Sequence, residues 1–530
     1  MTTSQITYVS AGHCLIVGDV EQALVVAEQL PGIQCTVVSV HPALNTIDKQ
    51  LIDDSGMAVF TVASLALSGY LGAYEAVAAA GSAELSLGVS IALDNGRFDL
   101  ILDLSHKPLM RASLAPFGYF HTPDAVSLAA AVSELPNLVG EFEKPRYFAY
   151  NASICAHSRS QLPGCQRCLE VCVTGAIDSL GDGIKVDPFL CQGCGSCATV
   201  CPTGAMTYAY PNPADAIERT RQMLQKTETH PRVLLLHSEN NQAVVDAANL
   251  PENFLALLVE EVSAFGIDYW TAMLTSGFSQ IVLLSDAAAD DLNRQALAGQ
   301  QALLHQLLQG LGVDEPAVKL VDSTWLADRE HLKVDSTALS ALTAAPFVTH
   351  GDKRQTLRMA LDVLSGQLKP EDSVVTLDKG APFGRIHINQ KACTLCMACV
   401  STCPAKALLD GQDTPALRMI EANCVQCGLC ETACPESAIT LEARYVWDSV
   451  AARRIDTLHE ETPFKCISCQ KPFATDRMIE TMLDKLGSHW MFSNRKALER
   501  LKMCEDCRVM AIFDDHPEGM DVHAKDKPTA

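Results

Sequence analysis

Positive charge is in short supply in this chain of 530 residues. Forty Lys and Arg stand against 63 Asp and Glu, a formal net charge of -23. Nucleic-acid binding needs a basic face, so that class of partner is excluded. Phosphate-cradling glycine loops are missing as well. Near the start, Cys14–Val17 reads as a strand and Val20–Leu30 as a helix. Only Gly18 marks the turn between them, where a dinucleotide fold would carry G-x-G-x-x-G. The opening MTTSQITYVSAGHC has no basic segment, no apolar core and no twin-arginine pair. That fits a cytoplasmic protein in a reducing compartment. One uncharged run, Met57 to Tyr74, is long enough in principle to cross a bilayer. It holds Thr61, Ser64, Ser68, Gly69 and Gly72, lacks a Lys or Arg flank, and is bordered by Asp53, Asp54 and Glu75. A buried strand followed by a small-residue helix is expected there, with no membrane span.

Cysteine, by contrast, is abundant, with 22 residues. Most of them fall in runs. Cys393, Cys396, Cys399 and Cys403-Pro404 form one; Cys424, Cys427, Cys430 and Cys434-Pro435 form the next. Both read C-x2-C-x2-C-x3-C-P, the spacing that binds iron–sulfur clusters. Three thiolates close in sequence wrap one corner of a cubane, and the fourth points away to the cluster of the partner run. The expected ligand sets are therefore crossed. One is Cys393, Cys396, Cys399 and Cys434; the other is Cys424, Cys427, Cys430 and Cys403. Disulfides are a poor alternative, because C-x2-C suits metal better than two separate bridges. An earlier pair repeats the arrangement. Cys191, Cys194, Cys197 and Cys201-Pro202 make a complete run, while Cys165, Cys168 and Cys172 follow Cys155 across a gap of nine residues, Ala156 to Gly164. Val173 stands where proline is usual. The expected sets are Cys155, Cys165, Cys168 and Cys201, and Cys191, Cys194, Cys197 and Cys172. If Cys155 is not a ligand, its site becomes a three-iron cluster or takes another ligand, with His157 nearest.

The runs and their flanks resemble two-cluster bacterial ferredoxins over Tyr147–Tyr210 and Ile386–Arg444. The stretches IKVDPFLC, IHINQKAC and LRMIEANC place a strand before a run, and GAIDSL, GAMTYA, KALLDG and SAITLE follow each fourth cysteine. The resemblance implies short hairpins and helical turns around the clusters.

The remainder divides around these two units. Residues 1–140 read as an α/β domain with further strands at Cys35–Val40 and Leu100–Leu104. Glu141–Tyr150 reads as a charged, aromatic linker into the first ferredoxin unit at 147–210. Ala214–Lys226 reads as a helix. Residues 231–322 alternate strands (Val233–Leu236, Leu255–Val259, Ile281–Leu284, Val318–Val321) with helices (Tyr269–Ser276, Leu292–Leu311), which predicts a parallel sheet. His237, Glu260, Glu261 and Asp286 fall at its strand ends, where open α/β sheets bind ligands. Residues 323–382 look helical and connective, with Arg354–Leu364 amphipathic. The second ferredoxin unit takes 386–444. At 460–512, Cys466-x2-Cys469 and Cys504-x2-Cys507 offer four thiolates for tetrahedral Zn2+. Helices at Asp476–Leu486 and Arg495–Met503 lie between them, which predicts a ribbon or treble-clef module with a helical insert. Rubredoxin-like iron and a fifth cluster are the alternatives, and His489 could replace a ligand. Residues 516–530 are charged and expected to be disordered. The fold class is thus α/β plus α+β, multidomain.

A cubane with four protein thiolates has no open iron, so it moves electrons and binds no substrate. Four such clusters add about -2 each, bringing the charge to roughly -31. That favours a redox protein partner with a basic docking surface. The expected role is a non-catalytic electron-transfer subunit of an oxidoreductase. The whole chain is similar to proteobacterial iron–sulfur proteins with a CxxCxKPF…GHWMF…LKMCEDCR terminal module, here Cys466–Phe473, Gly487–Phe492 and Leu501–Arg508. That group is associated with formate dehydrogenases of molybdenum or tungsten, which implies a formate-linked partner. Two alternatives stay open: a maturation or assembly factor for a metalloenzyme, and a flavin-linked oxidoreductase.

Overall fold

A computed structural model describes residues 4–515 apart from 41–54, 81–82, 94, 226–228, 289–290, 335–337, 346–351, 413, 488, 490–491 and 493. The tail expected to be disordered lies outside the described residues. The chain forms two compact units. One comprises Met1–Ala152 and Gln166–Leu368, the other Ser153–Cys165 and Lys369–Ala530.

The first unit opens on a five-stranded parallel sheet. Its order is Ala58–Thr61, Gln34–Ser39, His13–Val17, Leu100–Asp103, Tyr119–His121. Leu15, Ile16, Leu100, Ile101 and Leu102 are fully buried, as an unbroken apolar run in a two-sided parallel sheet should be. Asp19 caps helix Val20–Glu28 by accepting from the N–H groups of Glu21 and Gln22.

Two sequence expectations need correction here. Met57 to Tyr74 contains no helix. It gives the edge strand Ala58–Thr61 and then Leu65–Ser68, which pairs with Glu75–Ala80 in a small antiparallel sheet. Gly69 and Gly72 explain the difference, with φ of 110° and 82°. A Cβ at Gly72 would sit 2.0 Å from the Val9 carbonyl oxygen. Nor is Glu141–Tyr150 a linker. Gly140–Pro145 pairs antiparallel with Gln5–Ser10, and Phe148–Tyr150 with Met206–Tyr208. Its charges alternate: Glu141 and Glu143 are exposed while Phe142 and Lys144 turn inward. That is the period of a strand.

A second parallel sheet follows in the same unit, in the order Phe254–Leu258, Val233–His237, Gln280–Leu284, Val318–Val321. Helix Ile267–Thr275 is almost wholly buried, and Leu292–Gln309 buries one apolar face. The stretch read as a helical connection is only partly so. It holds turns at Ser323–Ala327 and Ala338–Ala341 and the helix Lys353–Leu368. Val374–Thr376 is instead a strand of the second unit, paired with Ile439–Val446.

In the second unit, Ile439–Val446 also pairs with Gly384–Ile388, and Ala416–Ile420 lies between Leu408–Asp410 and Ile455–Glu460. These short strands flank the cysteine runs. The hairpin Pro463–Lys465/Pro472–Thr475 and the helices Asp476–Leu486, Arg495–Arg500 and Glu505–Asp515 complete the unit. Among the described residues, no helix is long and apolar enough to cross a membrane.

Candidate iron–sulfur and metal centres

Each complete run bends at the same two places. The residue before the second cysteine and the residue after it both have positive φ: Gly193 and Gly195, Leu395 and Met397, Gln426 and Gly428. A left-handed backbone at these points turns the chain back on itself, so successive sulfurs can face one space. A short helix then carries the third cysteine: Ser196–Val200, Ala398–Thr402 or Leu429–Thr432. The run with the long gap lacks this double bend and places Cys168 on the helix Arg167–Glu170.

In the second unit the runs close two cavities of similar size. One, of about 370 Å³, is lined by Cys393, Cys396 and Cys399 with Cys434. The other, of about 380 Å³, is lined by Cys424, Cys427 and Cys430 with Cys403. Each fourth cysteine therefore crosses to the partner run's cavity. Leu417 and Ile439 line the first cavity, Ile386 and Met419 the second.

The sulfurs are also held by hydrogen bonds. Backbone N–H groups of Ala407 and Ala438 donate to Sγ of Cys403 and Cys434, both at 3.3 Å. In the first unit, Ala176 donates to Cys172 at 3.3 Å and Met206 to Cys201 at 3.4 Å. Such bonds favour the thiolate form.

Within the first unit, Cys197 is surrounded by Cys194, Cys191 and Cys172, with Cys168 beyond. Burial pushes the Cys197 thiol well up and the Cys194 thiol to about 12. Burial likewise pushes Cys399 to about 12 and Cys427 to about 11. Sulfurs gathered around one space and partly or wholly buried resist becoming thiolates together, because desolvation and mutual repulsion both oppose it. A core of iron supplies the opposing charge, so the donor sets fit a thiolate-bound cluster.

Cys155 and Cys165 belong to the second unit. Between them runs the hairpin Ser158–Arg159/Leu162–Pro163. Gly164 lies so close to Leu429 that a Cβ would be 2.7 Å from Leu429 Cγ. Cys165 adds to the negative surroundings of Cys427. His157 is buried, its Nδ1 2.9 Å from the Cys165 carbonyl oxygen. Cys168 and Cys201 lie in the first unit.

At the C-terminal end, the sulfurs of Cys466, Cys469, Cys504 and Cys507 all lie within 4.8 Å of one another. Cys466 and Cys504 are buried. Burial would raise the Cys466 thiol, but N–H groups of Cys469, Cys504 and Ser468 outweigh it and hold it low. Phe464 and Phe473 pack edge to face at 5.9 Å in the same hairpin. Four sulfurs at this spacing fit a tetrahedral ion with metal–sulfur bonds of about 2.3 Å. His489 is exposed and stands outside the group.

The strand-end residues separate into two kinds. His237 is buried, its Nδ1 3.1 Å from the Ser238 carbonyl, and Asp286 accepts from Asn241 and from the Ser323 N–H. The Ser323 N–H, chief among several donors, holds the Asp286 carboxyl low. Both residues brace loops. Glu260 and Glu261 instead line an open cavity of about 1180 Å³ with Asp215, Arg219 and Glu239. Desolvation, then Glu260 and Asp291, push Glu261 up to about 7.

Two segments match models of known families. Residues 142–205 match a 4Fe-4S dicluster domain, and residues 392–439 match a second model of that description. The chain carries two 4Fe-4S dicluster domains. The first match begins inside the strand Gly140–Pro145, so the dicluster domain takes in the segment misread as a linker. No curated protein matches the chain.

Sequence reasoning missed two residues at the first dicluster domain, Lys144 and Lys353. Lys144 donates to the carbonyls of Phe189 and Cys191, and Lys353 to those of Ala198 and Thr199. No spacing links either lysine to a cysteine run. The alternation of Glu141–Lys144 was the available signal for Lys144, since it turns that side chain inward.

Proposed function

We propose that the protein is a cytoplasmic electron carrier with four [4Fe–4S] clusters, relaying electrons between a catalytic partner and an acceptor. The crossed lining of the two cavities in the second dicluster domain carries this reading. Full thiolate ligation leaves each iron closed to substrate, so one-electron transfer is the available chemistry. Spacing supports Cys155, Cys165, Cys168 and Cys201 as the fourth set, and the position of Cys165 near Cys427 suits onward transfer. The Cys466, Cys469, Cys504 and Cys507 group holds Zn2+ in this reading. The acidic surface calls for a basic partner, and a formate dehydrogenase fits the similarity of the terminal module.

A role in assembling a metalloenzyme is the second reading. The four-sulfur module favours it, because such a module can grip a partner independently of the clusters. Transient association with an immature enzyme, in place of a stable complex, would select this reading. A flavin in the 1180 Å³ cavity is disfavoured by its lining, with four carboxylates to one Arg.

Metal and sulfide content with EPR, on protein purified anaerobically, tests the proposal. About sixteen iron and one zinc per chain are expected, with spin-coupled signals on reduction. Cys427→Ser should remove one cluster selectively. Unchanged iron and an unchanged reduced spectrum in that variant would refute the ligand assignment.

A further inference from the structure

Two ammonium groups are sheltered around the Cys191–Cys197 loop of the first dicluster domain. Lys144, 9% exposed, rises from the strand Gly140–Pro145. Its Nζ lies 4.8 Å from the centre of the Tyr8 ring and 5.6 Å from that of Phe117. It donates to the Phe189 carbonyl at 2.9 Å and the Cys191 carbonyl at 2.7 Å. Lys353 begins the helix Lys353–Leu368, with its side chain 14% exposed. It donates to the Ala198 carbonyl at 2.7 Å and to that of Thr199, between Cys197 and Cys201, and both of these cysteines act on it, Cys201 the more strongly.

Neither charge is well met by a carboxylate. Among the described residues Lys144 makes no ion pair, though Asp187 acts on it from further off, and Lys353 has Asp268 at 4.0 Å besides its two carbonyls. Carbonyl dipoles satisfy the donors but leave the charge in place. A buried ammonium is costly unless an opposite charge stands near. A cubane with four thiolates carries about -2 when oxidised. Each lysine is bonded to the peptide chain that carries the cluster's own sulfurs.

We propose that Lys144 and Lys353 are counter-charges of the cluster held by Cys172, Cys191, Cys194 and Cys197, Lys353 sharing its charge with the neighbouring Cys201 site, and that they raise its reduction potential. The inference rests on the electron-transfer reading. Reduction adds one electron from the protein redox partner, or from dithionite in the laboratory, and no bond or proton moves. The core goes from +2 to +1, and the site with its four thiolates from about -2 to about -3. A fixed positive charge stabilises the reduced site more than the oxidised one, so it raises the potential. Asp187 acts on Cys191 and Glu261 on Cys194 in the opposite sense. Without the lysines those acidic groups would dominate. Around Cys427 the neighbours that act are other cysteines, and around Cys393 they are cysteines and Glu461. The clusters of the second dicluster domain therefore serve as an internal reference.

An EPR-monitored redox titration of the full chain tests the proposal. The signal lost in Cys194→Ser marks the cluster concerned. Lys144→Met and Lys353→Met should each weaken its reduction about tenfold, a fall of about 59 mV for one electron. Lys144→Gln and Lys353→Gln keep a donor for the carbonyls and should shift it equally. Lys→Arg at either position should leave it in place, and signals from the second domain should not move. Full iron content with wild-type midpoints in the Met and Gln variants would overturn the proposal. Loss of that cluster in the neutral variants alone would support the counter-charge role, whereas equal loss in the Arg variants would overturn it. A wild-type protein with no reducible cluster is a separate result, which would end the electron-transfer reading itself.

Discussion

Cys172, Cys201, Cys403 and Cys434 each accept an N–H from four or five residues downstream. The bond is local, so it needs no distant packing to form. It recurs in all four runs, including the one whose first gap is long. Charges at this scale divide by how they are met. Arg444 makes two hydrogen bonds to Glu421 and is neutralised. Among the described residues Glu261 has no such partner, and it is raised to about 7 by desolvation first and its acidic neighbours second. A raised carboxyl favours the protonated form in the fold. Its contribution is complete below the ordinary carboxyl range and is lost as pH rises through about 7. Thermal midpoints of the wild type should therefore fall more between about pH 5 and pH 8 than those of Glu261→Gln. Parallel pH profiles for the two proteins would show that Glu261 contributes nothing.

Elements were legible where periodicity was clean. Val318–Val321 and Asp476–Leu486 have the expected bounds, and His13–Val17 and Gln280–Leu284 begin one residue early. The cysteine runs were legible because a cluster fixes spacing, and spacing survives in sequence. Three things were not. The helix expected after Met57 failed because Gly69 bends the chain locally and Gly72 meets the distant Val9 backbone at close range, a tertiary fact. The strand Gly140–Pro145 hid behind its charges, since its partner Gln5–Ser10 lies far away in sequence. Lys353 lies more than 150 residues from the carbonyls it binds. Glycines within the runs carry a testable load. Gly195 has φ +82°, and a Cβ there would lie 2.5 Å from Ala264 Cβ. Gly195→Ala should cost roughly 2–4 kcal/mol, from the left-handed backbone and the overlap together. Gly175, with φ +64° and nothing within 4 Å, is the control. Gly175→Ala should cost only about 1–2 kcal/mol. Equal losses of thermal midpoint would show that the Ala264 contact is immaterial.

At the scale of the molecule, the first unit holds two parallel sheets that carry none of the cysteine runs, and the second dicluster domain lies in the second unit. Cys14 and Cys35 face each other across the first of these sheets, and both thiols are raised by burial. A raised thiol in an apolar setting disfavours the reactive thiolate. The four-sulfur module is a separate matter from the clusters. Cys504→Ser should reduce zinc from about one per chain to near zero while iron stays whole. Limited proteolysis should then cut within 460–515 before it cuts elsewhere. Iron lost together with zinc would mean that the module supports the clusters directly.

The crossing of Cys403 and Cys434 between cavities has a consequence for how the protein is made. While the chain emerges from the ribosome, Cys393, Cys396 and Cys399 are exposed well before Cys434 follows. Chains grow at roughly 5–20 residues per second, so three thiols of the first cavity wait for seconds without their fourth. The second cavity, though it holds Cys403 early, waits for Cys424 to Cys430. Both sites thus become complete within a few residues of each other, and a delivery system meets either an unfinished domain or one ready to take both clusters.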